Sequence, residues 1–181
     1  MISLYLCFSN SVRRAFSPMN CKSRRTLMKP VRSIAAAAIA ISAMSAQAPA
    51  QEAEARAVKE YELNLAVASA SRAWREAFNA GDAAAAAAMY EEDAVMVAKP
   101  FGRFEGREAI QGFWKNIIEQ GFDDVIYFNT TTTVVDKTLT AARVSADWEM
   151  NNARGIITNE LWVLQPDGTA RLREDHFEVA E

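Results

Sequence analysis

Between Glu54 and Asn79 the apolar residues Leu63, Val67, Ala70, Trp74 and Phe78 recur at spacings of three and four, which gathers them on one face of a helix. Arg72, Arg75 and Glu76 fall on the other side. Gly81-Asp82 then interrupts the pattern. The glycine supplies the turn, and Asp82 is an N-cap for a second helix through the alanine run Ala83 to Ala88, with Tyr90 at its end. Asp93 to Lys99 reads as a short strand that stops at Pro100, whose nitrogen cannot donate to a ladder. Phe101 to Glu105 reads as a loop. Helical spacing returns with Ile110, Phe113, Trp114, Ile117 and Ile118 over Arg107 to Gln120, and Gly121 ends it.

From Val125 onward the period changes to two, as expected of half-buried antiparallel strands. Val125 to Val135, Leu139 to Met150, Arg154 to Leu164 and Thr169 to Val179 are joined by Asp136-Lys137, Asn151-Asn152 and Pro166-Asp167-Gly168. Connections this short impose a meander of hairpins. In the second of these strands Ala142, Val144, Ala146, Trp148 and Met150 share one face, and Arg143, Ser145, Asp147 and Glu149 share the other. The simplest arrangement that buries both sets of apolar faces is an α+β cone: a curved, mainly antiparallel sheet packed on three N-terminal helices.

Residues 1–50 follow a different pattern. Met28-Lys-Pro-Val-Arg32 is basic, Ile34 to Met44 is an apolar Ala/Ile-rich run, and Ala46-Gln-Ala48 or Ala48-Pro-Ala50 offers a small-x-small cleavage site. Residues 28–50 therefore read as a signal peptide, with 51–181 as the folded domain, exported to the periplasm or secreted. Residues 1–27 are either upstream translated sequence or, given Ser23-Arg-Arg-Thr-Leu-Met-Lys29, the n-region extension of a twin-arginine signal. The apolar run is shorter than the ~20 residues a membrane span needs, so no membrane insertion is expected after signal removal.

Removing this segment changes the charge. It holds seven basic and no acidic residues, leaving 13 Lys and Arg against 23 Asp and Glu, a net charge of −10. Such a body repels phosphate backbones and anionic lipid, so no nucleic acid partner is expected. Cys7 and Cys21 also lie in the removed part, so the remainder offers no disulfide, thiol nucleophile or cysteine metal site. No phosphate-binding glycine loop, Gly-x-Ser-x-Gly elbow or His-Glu-x-x-His helix is present. Neither cofactor nor metal is expected.

The order of elements, with Trp74-Arg-Glu-Ala-Phe-Asn-Ala-Gly-Asp82, Met89-Tyr-Glu-Glu-Asp-Ala-Val95 and Phe104-Glu-Gly-Arg-Glu-Ala-Ile-Gln-Gly-Phe-Trp114, resembles the nuclear transport factor 2-like superfamily over roughly residues 58 to 179. The likeness is strongest to its SnoaL-like and ketosteroid-isomerase-like members. It implies a cone-shaped pocket and a homodimer formed through the outer face of the sheet. The isomerase pattern combines a carboxylate base with a phenol and a neutral carboxylic acid that donate to the enolate oxygen. Matched residue by residue, the phenol position holds Trp74, the base position Ala98 and the acid position Glu160. With one acid of three retained, steroid isomerase activity is not expected.

Glu160 is the leading candidate for acid or base chemistry, because it shares parity with Ile156, Thr158, Trp162 and Leu164 in a strand suited to burial. Asn159, Leu161 and Val163 make the opposite facing nearly as reasonable. In the last strand Arg173, Asp175, Phe177 and Val179 share one side, and Leu172, Glu174, His176 and Glu178 the other. The Phe177 side reads as inward, which would bring Arg173 and Asp175 into the pocket together, Arg173 suited to a carboxylate or carbonyl ligand. His176, the one histidine, has a side chain able to exchange protons near neutrality, and Glu-Asp-His-Phe resembles the ending of many SnoaL-like proteins. It enters with Asp175 only if a bulge intervenes. Trp74, Tyr90, Trp114, Trp148 and Trp162 supply core or ligand-wall surface, and Lys99 and Arg103 sit where they could flank the mouth.

The expected function is therefore binding of a small hydrophobic molecule, with Glu160, Asp175 or His176 available for cofactor-independent isomerisation, cyclisation or dehydration. The alternative is a non-catalytic association module. A plugged cone and an apolar outer face would mark the second; an open cavity with two polar groups in mutual reach would mark the first.

Overall fold

A computed structural model describes residues 37–180, with side chains described from residue 48. The compact unit that carries the fold starts at Ile41. The first 36 residues, including both cysteines, the arginine pair and the start of the export segment, lie outside the described residues.

Helix α1 spans Ala37–Asn79 and runs through Pro49, so the expected boundary at residue 50 falls inside it. Residues 48–62 are exposed along their whole length, roughly 22 Å of helix. Packing begins at Leu63, and Leu63, Val67, Ala70, Trp74 and Phe78 are all buried, as their spacing requires. Asn79 ends the helix by exchanging two hydrogen bonds with the backbone of Val125, at 3.1 and 2.7 Å. Gly81 turns the chain at φ +76°. Asp82 then accepts from the Ala85 amide at 2.9 Å, capping α2, Ala83–Ala87.

The second helix is shorter than the alanine run suggests, because Tyr90 belongs to a strand. β1 spans Tyr90–Lys99, and its start is fixed from two sides. The Leu172 amide donates to Met89 O at 2.9 Å, and the Arg107 guanidinium donates twice to Tyr90 O. These tertiary bonds override local helix propensity. The expected loop after Pro100 is likewise an edge strand, β2, Gly102–Glu105, paired antiparallel with Val95 to Ala98. Gly106, at φ +82°, leads into α3, Arg107–Glu119, which buries Ile110, Phe113 and Trp114.

The remaining strands are β3, Ile126–Val134, β4, Ala141–Met150, β5, Ala153–Leu164, and β6, Ala170–Val179. Sheet order is β2-β1-β6-β5-β4-β3, antiparallel except where β1 runs parallel to β6. That parallel pairing joins the N-terminal hairpin to the end of the meander. The result is a curved, unclosed sheet whose concave face receives α1 and α3: an α+β cone.

Bulges decide which residues face the interior. In β5, Val144 pairs with Glu160 but Ala146 with Ile157, so one extra β5 residue lies between them. Ile157 and Glu160, three apart, both point inward, while Ile156 is 44 % exposed. In β6 the shift falls between Leu172 and Glu174, leaving Arg173 outside and both Leu172 and Asp175 inside.

Candidate functional site

Two adjoining spaces lie between α3 and the concave face of the sheet. The outer one is an aromatic vestibule of about 740 Å³, walled by Phe101, Phe104, Phe113, Ile117 and Phe122, with Asn116, Gln120 and Asn152 as its polar members. Behind it is an inner cavity of about 30 Å³ lined by Trp74, Val125, Tyr127, Ile157 and Asp175. Trp114, Trp148, Met150 and Phe177 line both and so form the partition. Phe177 stacks on Trp114 with ring centres 5.6 Å apart and meets Trp148 edge-on at 6.2 Å. Trp148 lies against Gly155, where an added Cβ would come within 2.5 Å of its ring.

Beside the inner cavity is a buried polar cluster. Glu160 and Asp175 face each other across β5 and β6, 2 % and 4 % exposed. Tyr90 donates to Asp175 Oδ2 at 2.6 Å, and Trp114 Nε1 donates to the Tyr90 hydroxyl at 3.2 Å. Trp162 Nε1 donates to Glu160 Oε2 at 2.8 Å, and Tyr127 bonds Oε1 at 3.1 Å. Two carboxylates so placed cannot both keep their charge in an apolar interior. Burial first, and then the charge of Asp175, pushes Glu160 up to about 8. Burial raises Asp175 to about 6, against the opposing hydrogen bond from Tyr90. Burial therefore favours retention of a proton by the pair toward neutral pH over two adjacent charges. Burial also raises both phenols well above their usual value, with Asp175 adding to the effect at Tyr90 and Glu160 at Tyr127.

Among the residues singled out in sequence, Trp74, Trp114, Trp148, Phe177 and Asp175 meet at the inner cavity. Glu160 faces inward but stands behind Tyr127 and does not line that cavity. Tyr90 and Trp162 are fully enclosed and act on the carboxyl groups from the rear. Arg173 is a correction: the β6 bulge turns it outward, where it makes a two-pronged contact with Glu91 at 2.7 and 3.1 Å. Partial burial works to raise the Glu91 carboxyl, but hydrogen bonds from Arg173 and Gln165 outweigh it and hold it low. His176 sits between the inward Asp175 and Phe177 and so faces the outside of the sheet, opposite Asn159 and Val97. Since the bulge precedes Asp175, it does not bring His176 in. Lys99 and Arg103 pair with Glu178 and Glu105 on the surface.

Tyr127, in β3, was not singled out in sequence, although it shares inward parity with Val125 just before that strand. Arg75, assigned to the solvent side, lies 4.7 Å over the Tyr127 ring and donates to Ser71 at 2.8 Å. The vestibule phenylalanines were also missed, because Phe101 and Phe104 read as loop.

Among the described residues no three His, Cys, Asp or Glu side chains gather to hold a metal, and no helix is long and apolar enough to cross a membrane. The outer face of the sheet is polar at its centre, where Arg143 donates to Asn159 and Asn159 to Glu174. Ile126, Phe128 and Ile156 are its large exposed apolar residues.

A family model described as SnoaL-like domain matches residues 71–173. No curated protein matches the chain. Among solved structures, the chain is similar to a protein of Novosphingobium aromaticivorans assigned as a scytalone dehydratase, with 16 % identity and a TM-score of 0.55 over 67 % of this chain and 89 % of that one. It is similar to ActVI-ORFA of Streptomyces coelicolor, with 14 % identity and a TM-score of 0.55 over 65 % and 97 %. It is also similar to a ketosteroid isomerase-like protein of Erwinia carotovora atroseptica, with 17 % identity and a TM-score of 0.53 over 65 % and 95 %. These likenesses are of fold, that of the nuclear transport factor 2-like cone.

Proposed function

The chain belongs to the SnoaL-like domain family, and from that premise we propose that its cone binds a small, mostly apolar organic molecule and exchanges a proton with it through Asp175. One observation carries this reading: two carboxyl groups paired across neighbouring strands, Glu160 and Asp175, are buried behind an aromatic vestibule, and of the two only Asp175 lines the inner cavity. Asp175 as carboxylate takes a proton from a carbon acid and becomes neutral. Returning that proton at a second position isomerises the molecule; transferring it to a departing hydroxyl dehydrates it. Neither course needs a cofactor. The neutral Glu160, paired with Asp175 across the strands, adds no second charge beside it and so is a positioning residue, while burial and the Tyr90 hydrogen bond set the proton affinity of Asp175. The similar scytalone dehydratase and isomerase-like folds fit such chemistry. The domain is exported, with residues 28–50 as its signal, and pairs as a homodimer.

Deuterium incorporation tests the proton transfer without knowledge of the product. The protein is incubated in D₂O with 1-tetralone or 2-acetylnaphthalene, and loss of the proton signal next to the carbonyl is followed by NMR. Exchange above the buffer rate that disappears in Asp175→Asn supports the assignment; exchange equal in both proteins removes it.

The size of the inner cavity favours a second reading. At about 30 Å³ it admits no organic molecule without movement of Phe177 or Met150, as expected of a plugged cone serving as an association module. That reading requires a mainly apolar outer face, whereas the Arg143-Asn159-Glu174 chain makes its centre polar.

A further inference from the structure

Each buried carboxyl group has its own phenol. Tyr90 donates to Asp175 at 2.6 Å and Tyr127 to Glu160 at 3.1 Å. The two hydroxyls differ in how their direction is fixed. Trp114 Nε1 donates to the Tyr90 oxygen at 3.2 Å, and an indole N–H cannot accept, so the Tyr90 proton is turned toward Asp175. Among the described residues no donor holds the Tyr127 oxygen in this way. Glu160 accepts from Trp162 on one oxygen and from Tyr127 on the other. When Glu160 carries a proton, only the hydroxyl of these two partners can accept a bond from it, and it does so by reversing. Arg75 bears on that reversal. It stands half-buried on α1 with its guanidinium carbon 4.7 Å from the centre of the Tyr127 ring. The buried Ser71, one turn earlier, accepts from it at 2.8 Å and fixes its place. It makes no ion pair among the described residues, so no carboxylate at hand neutralises its charge. A cation over the face of a phenol is attracted to the ring. Its field draws electron density from the oxygen, which makes the hydroxyl a stronger donor and a weaker acceptor.

We propose that Arg75 is a positioning residue for the carboxyl pair: its charge over the Tyr127 ring holds that hydroxyl as donor to Glu160 and disfavours the reversed bond, in which a protonated Glu160 donates to the hydroxyl. The titratable and charged groups about Glu160 are Asp175 on β6, Tyr127 on β3, Arg75 on α1 and, beyond Asp175, Tyr90 on β1. Val144, its partner on β4, and Trp114 on α3 carry no charge. Burial and the charge of Asp175 raise Glu160, and the bonds from Trp162 and Tyr127, with the charge of Arg75, limit that rise. Arg75 also opposes the rise that burial and the nearby carboxyl groups impose on Tyr127 itself, as a strengthened donor requires. The consequence for proton exchange rests on Asp175 being the working base, whereas the state of Glu160 does not.

The test follows Glu160 in the free protein by carbon-13 NMR of its side-chain carboxyl group, assigned by its absence in Glu160→Gln. Arg75→Met keeps the aliphatic stem and removes the charge. In it the Glu160 midpoint should move to higher pH, equivalent to about a threefold gain in proton affinity. Arg75→Gln removes the charge in a second way and should give the same shift, while Arg75→Lys should return the midpoint toward the native one. Tyr127→Phe keeps the ring and removes the hydroxyl, so adding Arg75→Met to it should move the midpoint by less than half as much. An unmoved midpoint in both Arg75→Met and Arg75→Gln overturns the proposal. An equal shift in the Tyr127→Phe background also overturns it, since the charge would then act across space and not through the hydroxyl. A shift that Arg75→Lys fails to reverse reports lost packing and overturns it as well. With 1-tetralone in D₂O, the upper limb of the exchange profile should move with the Glu160 midpoint. Absence of exchange in the native protein removes the proposed function without touching the titration, which decides the role of Arg75 by itself.

Discussion

Asp175 and Glu160 are direct cross-strand neighbours in the same apolar interior, and what stands beside each differs. Tyr90 stabilises the charge on Asp175, whereas Glu160 is enclosed more completely and meets the charge of Asp175. If the singly protonated pair is the working form, proton exchange should rise with pH through about 6 and fall above about 8. Glu160→Gln should remove the upper limb while keeping the lower one; a profile flat from pH 5 to 9 in the native protein would contradict the assignment. Gly155 invites a stability test. A Cβ there would lie 2.0 Å from Glu178 O and 2.5 Å from the Trp148 ring, so Gly155→Ala should cost about 2 kcal/mol by urea unfolding through overpacking. At this scale the sequence showed the buried faces of α1 and β4, because period and burial agree there. It did not show that Arg173 faces out, since a single bulged residue reverses parity without leaving a mark in composition.

Elements depart from their sequence patterns where tertiary bonds compete with local preference. The alanine run favours helix through Ala88, but pairing with β6 takes Tyr90 into β1. β2 has only four residues and one partner, too few positions for a period of two to register. The β5 bulge has a consequence that can be measured. Ile157 and Glu160 both point inward although three residues apart, so deleting Thr158 would place them two apart and keep both inside in a regular strand. Deleting Leu161 would instead force Glu160 and Trp162 to opposite faces. The first deletion should give a cooperative unfolding transition and near-native far-UV circular dichroism, and the second should not. Residues 48–62 of α1 touch no core and should be dispensable: a chain beginning at residue 62 is expected to unfold within about 1 kcal/mol of one beginning at residue 48.

The whole molecule balances two opposed sets of carboxyl groups. Glu160 and Asp175 have folded values raised above their unfolded ones, so their contribution is fully present below about pH 4 and is lost as pH rises toward about 8. Asp136, held well below its usual value by Thr138 and Thr140 side chains and by backbone amides, contributes above pH 4 and loses that contribution in acid. The melting temperature should therefore be higher at pH 5 than at pH 8.5, and Glu160→Gln should shrink the difference. An unchanged difference would mean that Glu160 is charged in the folded protein. The cone was legible from sequence because helix and strand periods are properties of long segments. The division of its interior into vestibule and inner cavity was not, because it depends on where four side chains, Trp114, Trp148, Met150 and Phe177, come to rest. Ligand binding in that interior is tested most directly by titrating the protein with hydrophobic ketones and aromatic compounds while recording tryptophan fluorescence. Saturable quenching is expected with at least one compound, weakened tenfold or more by Ile117→Lys in the vestibule wall; no saturable change with any compound would contradict a ligand-binding cone.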